Sequence, residues 1–236
     1  MKYAIIAAGE GSRLAQEGIE LPKPLVCLHG EPMIDRLIRI FTENGAEEVV
    51  VIVNTLHPQT EQHLREGLAT GKYDRLRLIV KSTPSSMHSF YELSAYLKDA
   101  PFCLTTVDTV FREAEFADYI KAFQESDEDG LMAVTDFIDD EKPLYVATDG
   151  QLRITGFHDS CENDRYISGG IYCLRPNAFE TLERCMAEGK SRMRNFQRGL
   201  VEDGLRLKAC PFSKILDVDH ADDIRKAEEF LAAEDK

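Results

Sequence analysis

The residues best suited to chemistry in this sequence are two glycines, an arginine and a lysine near the N-terminus. They lie in the stretch YAIIAAGEGSRLAQEGIELPKPL, residues 3–25, where an apolar run leads into a glycine-rich, basic loop. Gly9 and Gly11 let the backbone approach a ligand closely and turn its N–H groups outward, which suits phosphate oxygens. Arg13 and Lys23 would add positive charge to the same loop. The stretch therefore predicts a nucleotide site.

Two better-known phosphate loops do not fit these residues. The dinucleotide fingerprint G-x-G-x-x-G requires glycine at position 14, which is Leu14. A Walker loop that starts at Gly9 requires Gly-Lys at positions 14 and 15, where Leu14 and Ala15 stand. A plain glycine-rich turn with solvated basic side chains stays open as the simpler alternative.

Composition narrows the class of protein. A chain of 236 residues with 43% hydrophobic residues can form one large α/β domain. The formal charge of -14 argues against nucleic-acid and membrane-surface partners. The six cysteines show no metal-binding spacing, and no apolar run reaches membrane-spanning length. Charge and glycine arrive by Glu10, so we do not expect the N-terminal residues to act as a signal peptide. We therefore expect reduced thiols and a cytoplasmic protein, and composition does not decide whether it forms homo-oligomers.

Alternating strand and helix patterns follow the loop and define the expected fold. Apolar, β-branched runs predict strands at 3–8, 49–53, 76–80 and 102–107, with amphipathic helices between them. This alternation predicts a Rossmann-like, mostly parallel sheet flanked by helices, with ligands at the carboxyl ends of the strands. The loops that should share this edge are 9–13, 54–57, 82–88 and 108–109.

After residue 130 the predicted strands become shorter and more of them pair as hairpins. Asp149-Gly150 suits a two-residue turn between strands at 144–148 and 152–157. We predict a single domain over 1–236. Its parts are a nucleotide-binding half (1–130), a smaller, β-rich acceptor-binding half (131–213) and a closing strand and helix (214–236).

Three aspartates could hold a metal ion. Asp108 follows the fourth predicted strand, and Asp217 and Asp219 lie two residues apart on an extended stretch, so their side chains point the same way. Carboxylate oxygens are the ligands that Mg²⁺ prefers. A turn role for Asp108 and a helix-capping role for Asp219 stay open as alternatives.

The segment A-A-G-E-G-S-R-L followed by L-P-K-P-L-V resembles the G-x-G-x-R…P-K signature of the sugar-phosphate nucleotidyltransferases. The resemblance runs nearly end to end and is strongest over residues 3–45. It implies a Mg²⁺-dependent transfer of a nucleoside monophosphate from a nucleoside triphosphate to a sugar 1-phosphate. Pyrophosphate would leave, and the nucleoside-diphosphate sugar would serve polysaccharide biosynthesis.

The resemblance and the local residue types together suggest roles for specific residues. Arg13 would hold the departing pyrophosphate, and Lys23 would contact the α-phosphate. The other expected groups are nucleotide-binding residues (Ala8, Gly9, Gly11, Ser12, Ser85 and Ser86), acceptor-binding residues (Lys142, Gly169, Gly170 and Arg194) and metal ligands (Asp108 with Asp217 or Asp219).

The sequence departs from the family pattern at two places. Val107 stands where the family usually has glycine before the metal-binding aspartate, and residues 156–159 read G-F-H-D where many hexose 1-phosphate enzymes have Glu-Lys-Pro. The second departure leaves room for cytidylyl transfer to phosphocholine or a polyol phosphate. A catalytically silent nucleotide-binding regulator and a glycosyltransferase that uses Asp217-Val218-Asp219 also stay open, and the base is not determined.

Overall fold

The computed structural model describes residues 1–139, 142–161 and 164–233. Its strands are β1 (Lys2–Ala7), β2 (Cys27–Leu28), β3 (Glu31–Pro32), β4 (Glu48–Val53), β5 (Leu76–Val80), β6 (Phe102–Thr106), β7 (Thr109–Val110), β8 (Gly130–Thr135), β9 (Tyr145–Thr148), β10 (Ile154–His158), β11 (Tyr166–Leu174), β12 (Leu207–Phe212) and β13 (Leu216–Asp217). Its α-helices are α1 (Ser12–Gln16), α2 (Met33–Glu43), α3 (Pro58–Ala69), α4 (Ser86–Ser94), α5 (Glu113–Glu125), α6 (Ala178–Ala187), α7 (Met193–Glu202) and α8 (Ala221–Ala232).

The main sheet joins a parallel part to an antiparallel part. In the described chain its strand order is β10-β9-β11-β6-β1-β4-β5, and β8 pairs with both β11 and β12. The pairs β6·β1, β1·β4 and β4·β5 are parallel, whereas β11 runs antiparallel to β6, β8 and β9. The predicted fold class, a mostly parallel Rossmann-like sheet flanked by helices, is confirmed.

Alternating side chains of β1 show how the sheet is covered on both faces. Tyr3 and Ile5 belong to one apolar cluster, and Ala4 and Ile6 belong to the other. Helices α2, α5 and α8 contribute to the first cluster, and α4, α6 and α7 contribute to the second. Burial on both faces explains why these strands are continuous apolar runs rather than alternating ones.

Local signals set the ends of α2. Pro32 precedes its first residue, and its apolar side chains recur at helical spacing. At its C-terminus Gly45 has φ of 75°, and the N–H groups of Gly45 and Ala46 donate to the carbonyl oxygens of Thr42 and Phe41. This Schellman pattern requires a left-handed residue, which glycine adopts without steric cost.

One local prediction, the two-residue turn at Asp149-Gly150, was wrong. The β9–β10 connection is longer than a two-residue turn, because the side chain of Asp149 accepts hydrogen bonds from the N–H groups of Gln151 and Arg153. The positive φ there falls on Leu152, at 62°, rather than on Gly150. The closing strand β13 pairs with β7 in a separate two-stranded sheet.

Other expectations concern thiols and membrane segments. The six cysteines are free thiols, of which Cys103, Cys173 and Cys185 are buried and Cys161 is exposed. Among the described residues, no helix combines the length and apolar character needed to cross a membrane. The division of the chain at residues 130 and 213 stays a prediction.

Candidate active site

A cavity of about 390 Å³ lies at the carboxyl ends of β1 and β6, beside the N-terminus of α4. Most of the predicted nucleotide-site residues line it, although they come from distant parts of the chain. They are Ala8, Gly9, Gly11, Ser12, Arg13, Lys23, Ser85, Ser86, Asp108 and Asp219. We refer to this space as the nucleotide cavity.

Gly9 and Gly11 of the opening loop differ in the space around them. Gly11 has φ of 63°, and a Cβ placed on it would lie 3.2 Å from Cβ of Lys23. A glycine at this position therefore lets the loop turn and pack against the Pro-Lys segment. A Cβ on Gly9 would meet no protein atom within 4 Å, so the space beside Gly9 is open for a ligand.

A chain of charges crosses the floor of the nucleotide cavity. Nζ of Lys23 contacts a carboxylate oxygen of Asp108 and lies 2.7 Å from Oδ1 of Asp219. The other oxygen of Asp219 accepts a hydrogen bond of 2.9 Å from Arg13. The order of contacts is therefore Arg13, Asp219, Lys23, Asp108, which alternates positive and negative groups.

These contacts shift two pKa values. Burial opposes the charge on the Lys23 ammonium, but the two carboxylates outweigh burial and raise the pKa of Lys23. Burial likewise acts to raise the pKa of Asp108, but the ammonium of Lys23 outweighs it and lowers that pKa. Both groups are therefore charged at neutral pH.

Hydroxyl groups line the side of the nucleotide cavity formed by α4. Ser85 caps this helix and accepts a hydrogen bond from the N–H of His88. Thr83 and Ser89 also line the cavity, and their hydroxyl oxygens lie 2.6 Å apart. Ser85 and Ser86 on this side of the cavity were singled out from sequence, but Thr83 and Ser89 were missed.

Two further cavities, of about 390 and 340 Å³, adjoin this site and share Lys142, Ser168, Arg194 and Asp217 in their walls. We call them together the acceptor cavity. Gly169 lines one part and Gly170 the other, where β11 bulges and Gly170 has φ of 73°. A Cβ on Gly169 would lie 2.2 Å from Cδ1 of Ile215 and 3.2 Å from the carbonyl oxygen of Ala133, so a larger residue here would have to displace the side chain of Ile215.

The arginines of α7 are held by the segment that replaces the family's Glu-Lys-Pro. Asp159 lies 2.5 Å from Nη1 of Arg194 and 2.7 Å from Nη2 of Arg198. Arg194 also donates to the carbonyl oxygen of Lys142 at 3.1 Å. Arg194 therefore faces the acceptor cavity with its orientation fixed by Asp159.

Three acceptor-cavity residues, Ser168, Tyr172 and Gln197, were missed from sequence. Gln197 is buried, accepts a hydrogen bond of 2.9 Å from the hydroxyl of Ser168 and donates to the hydroxyl of Tyr172 at 3.3 Å. The sequence signal that could have identified Gln197 is the presence of a polar residue next to Phe196 on the apolar face of α7.

The carboxylates of the nucleotide cavity fit a divalent cation in part. Asp108 and Asp219 contact the same ammonium, and Oδ1 of Asp108 is buried without a hydrogen-bond partner among the described residues. Over those residues, no group of three or more His, Cys, Asp or Glu side chains is arranged to hold a metal. Two carboxylates suffice for Mg²⁺ when substrate phosphates supply further oxygens. Asp217 lines only the acceptor cavity.

Comparison with known proteins defines the class to which this fold and site belong. The family model described as "Nucleotidyl transferase" matches residues 2–234, so the chain belongs to the nucleotidyl transferase family. The protein is accordingly a nucleotidyltransferase, as the N-terminal signature predicted.

Individual relatives differ in the acceptor that their names state. The chain is 25% identical to a choline-phosphate cytidylyltransferase of Streptococcus pneumoniae, with 99% of this chain and 100% of the relative covered. It is 30% identical over 71 residues to a UTP–glucose-1-phosphate uridylyltransferase of Synechocystis, of which it covers 18%. Its fold matches an inositol-1-phosphate CTP transferase from T. maritima, with a TM-score of 0.77, 19% identity and 98% and 97% of the two chains covered.

Proposed function

We propose that this nucleotidyltransferase moves a nucleoside monophosphate from a nucleoside triphosphate to a sugar 1-phosphate and makes a nucleoside-diphosphate sugar. One observation carries the proposal. Arg13 and Asp219 line both the nucleotide cavity and the acceptor cavity. Two anionic substrates bound in these cavities would therefore meet at the charge chain formed by Arg13, Asp219, Lys23 and Asp108.

The proposed reaction forms one bond and breaks one. A phosphate oxygen of the acceptor attacks the α-phosphorus, and the bond from that phosphorus to the oxygen bridging it to the β-phosphorus breaks as pyrophosphate leaves. A phosphate monoester is already ionised at neutral pH, so no general base is needed. The demand on the protein is to bring two anions together and to stabilise the charge that develops.

The residues of the nucleotide cavity match this demand. Arg13 would hold the β- and γ-phosphates that leave, and Lys23 would turn toward the α-phosphate when the triphosphate binds. Asp108 and Asp219 would then hold Mg²⁺, which when bound neutralises phosphate charge during displacement. Asp219 is favoured over Asp217 as the second ligand, because Asp219 shares Lys23 with Asp108.

The walls of the acceptor cavity favour a hydroxyl-bearing acceptor. Ser168, Tyr172 and Gln197 offer hydrogen-bonding groups to the larger part of such a molecule, while Lys142 and Arg194 offer positive charge to its phosphate. A quaternary ammonium is instead recognised by open aromatic faces. The cavity walls include the rings of Phe137 and Tyr172, but Nζ of Lys214 already lies 4.1 Å from the centre of the Phe137 ring, and Tyr172 is buried.

Cytidylyl transfer to phosphocholine is the second candidate, because the pneumococcal relative matched over 99% of this chain is named a choline-phosphate cytidylyltransferase. The deciding experiment measures pyrophosphate release with each nucleoside triphosphate paired with hexose 1-phosphates, polyol phosphates or phosphocholine, with and without EDTA. We expect turnover with a sugar 1-phosphate that EDTA abolishes. Turnover with phosphocholine alone would select the second candidate, and a folded protein that turns over no pair would contradict both.

A further inference from the structure

The backbone of the opening loop is tied down by two side chains that lie outside the nucleotide cavity. Nδ2 of Asn54 donates to the carbonyl oxygens of Ala8 and Gly9, at 3.3 and 2.8 Å. Nε2 of His57 lies 3.0 Å from the carbonyl oxygen of Glu10 and must carry the proton, because a carbonyl can only accept. Three consecutive carbonyl groups are thus held by the segment that follows β4.

The direction of these bonds determines what the loop offers to a ligand. Asn54 and His57 do not line the nucleotide cavity, so the carbonyl oxygens that they hold point away from it. Among the described residues, the N–H groups of Gly9, Glu10 and Gly11 donate no hydrogen bond. Successive unpaired backbone N–H groups beside a cavity form an anion-binding concavity.

Asn54 is itself well fixed. Its side chain is buried, and its Oδ1 accepts hydrogen bonds from the N–H groups of Leu56 and His57. The next residue, Thr55, is joined to Ser82 through both its N–H and its hydroxyl group. The carboxamide of Asn54 therefore has one orientation, with its oxygen toward its own loop and its nitrogen toward the glycine loop.

We propose that Asn54 is a positioning residue for the triphosphate, with His57 in a supporting role. By holding the carbonyl groups of residues 8–10, these side chains keep the loop N–H groups directed at the phosphates. The inference rests on the proposed function only in that a triphosphate occupies the nucleotide cavity. It extends the phosphate site to a segment that touches no substrate.

The test compares Asn54→Asp with Asn44→Asp by titration calorimetry with inorganic tripolyphosphate, which has no base. Asn54→Asp keeps the side-chain oxygen that accepts from the N–H groups of Leu56 and His57. It loses the two N–H donors and places a carboxylate oxygen next to the carbonyl oxygens of Ala8 and Gly9. Asn44 is a matched control, because its Nδ2 also donates to a backbone carbonyl, that of Ile40 at 2.8 Å, and it lines none of the cavities of the site. We expect about tenfold weaker binding for Asn54→Asp and no change for Asn44→Asp.

Steady-state kinetics distinguishes a positioning role of Asn54 from a purely structural one. Asn54→Asp should raise KM for the triphosphate and leave KM for the acceptor unchanged. If Asn54→Asp does not fold, His57→Ala replaces it in the tripolyphosphate titration, and we expect this variant to bind about threefold more weakly than wild type. Wild-type affinity in the folded variant would overturn the positioning role alone, whereas a wild-type protein that binds no tripolyphosphate would overturn the proposed function as well.

Discussion

The ammonium group of Lys23 and the carboxylate of Asp108 form an ion pair between residues 85 positions apart in the chain. The pair joins the Pro-Lys segment to the end of β6, and both side chains are mostly buried. Lys23 therefore holds the position from which a cation can reach Asp108 and Asp219 together. In the proposed mechanism, a triphosphate would attract Lys23 away from the carboxylates, and the oxygens of both aspartates would then be available to a cation.

Replacement of Lys23 by methionine should separate chemistry from binding. The variant loses the positive charge near the α-phosphate but keeps a side chain of similar length, so we expect kcat to fall about 10²- to 10³-fold. Triphosphate binding should weaken less, because Arg13 and the loop N–H groups remain. Single-turnover kinetics and calorimetry measure the two effects. Lys98→Met, at an exposed Glu183 pair, is the control, and full activity in Lys23→Met would remove Lys23 from the mechanism.

The same substitution should strengthen metal binding in the absence of nucleotide. Without the ammonium, the carboxylates of Asp108 and Asp219 lose their shared partner and repel each other, which a divalent cation would relieve. Mn²⁺ titration followed by electron paramagnetic resonance checks this, with an expected affinity increase of about tenfold or more. An unchanged Mn²⁺ affinity would show that Lys23 and the metal do not compete.

Alanine at Gly9 should weaken triphosphate binding without loss of stability, whereas alanine at Gly11 should lower the stability of the fold. Gly9→Ala adds a methyl group in open space, so the thermal midpoint should stay unchanged while triphosphate affinity falls. Gly11→Ala forces a left-handed conformation on alanine and should cost about 1–2 kcal/mol of folding stability. Thermal unfolding and calorimetry on both variants test the contrast. Equal loss of stability in both would contradict it.

Gln197→Leu should affect the acceptor and leave the nucleotide alone. Leucine has a similar volume but removes the hydrogen bonds to Ser168 and Tyr172. We expect KM for the acceptor to rise about five- to tenfold with KM for the triphosphate unchanged. Gln62→Leu is the matched control, since Gln62 bonds Glu66 on the exposed surface of α3. A rise in both KM values would assign Gln197 a general structural role.

Asp35 should make folding stability depend on pH. Burial acts to raise the pKa of this carboxyl, but hydrogen bonds from three side chains outweigh burial and lower the pKa below its usual value of 3.8. The donors are Lys72, Tyr73 and His63. A lowered folded-state pKa contributes stability that is fully present above pH 3.8 and is lost as the pH falls through the folded-state value.

The comparison of wild type with Asp35→Asn measures this contribution. At pH 6 the variant should be less stable by about 1–2 kcal/mol, because it lacks the charge that pairs with Lys72. The difference should shrink as the pH falls below 3.8. Chemical denaturation at a series of pH values follows both proteins, and a difference that does not change with pH would contradict the assignment.

Sequence patterns predicted the parallel part of the fold well. The strands predicted at 76–80 and 49–53 lie within one residue of the expected positions. These segments carry strong local signals, namely β-branched apolar runs and glycine or proline at their ends. The β9–β10 connection was predicted less well. Asp149-Gly150 is typical of a two-residue turn, but here the side chain of Asp149 closes a five-residue loop instead.

The sequence by itself determined the family, and it predicted a phosphate-binding loop, since glycines, Arg13 and Lys23 lie close together along the chain. Only the tertiary structure decided which distant groups meet them. It brought Asp219 rather than Asp217 to Lys23, set Asp159 against Arg194 and placed Asn54 behind the loop. Contacts across a sheet edge depend on strand order and side-chain direction, and neither leaves a periodic signal in the sequence.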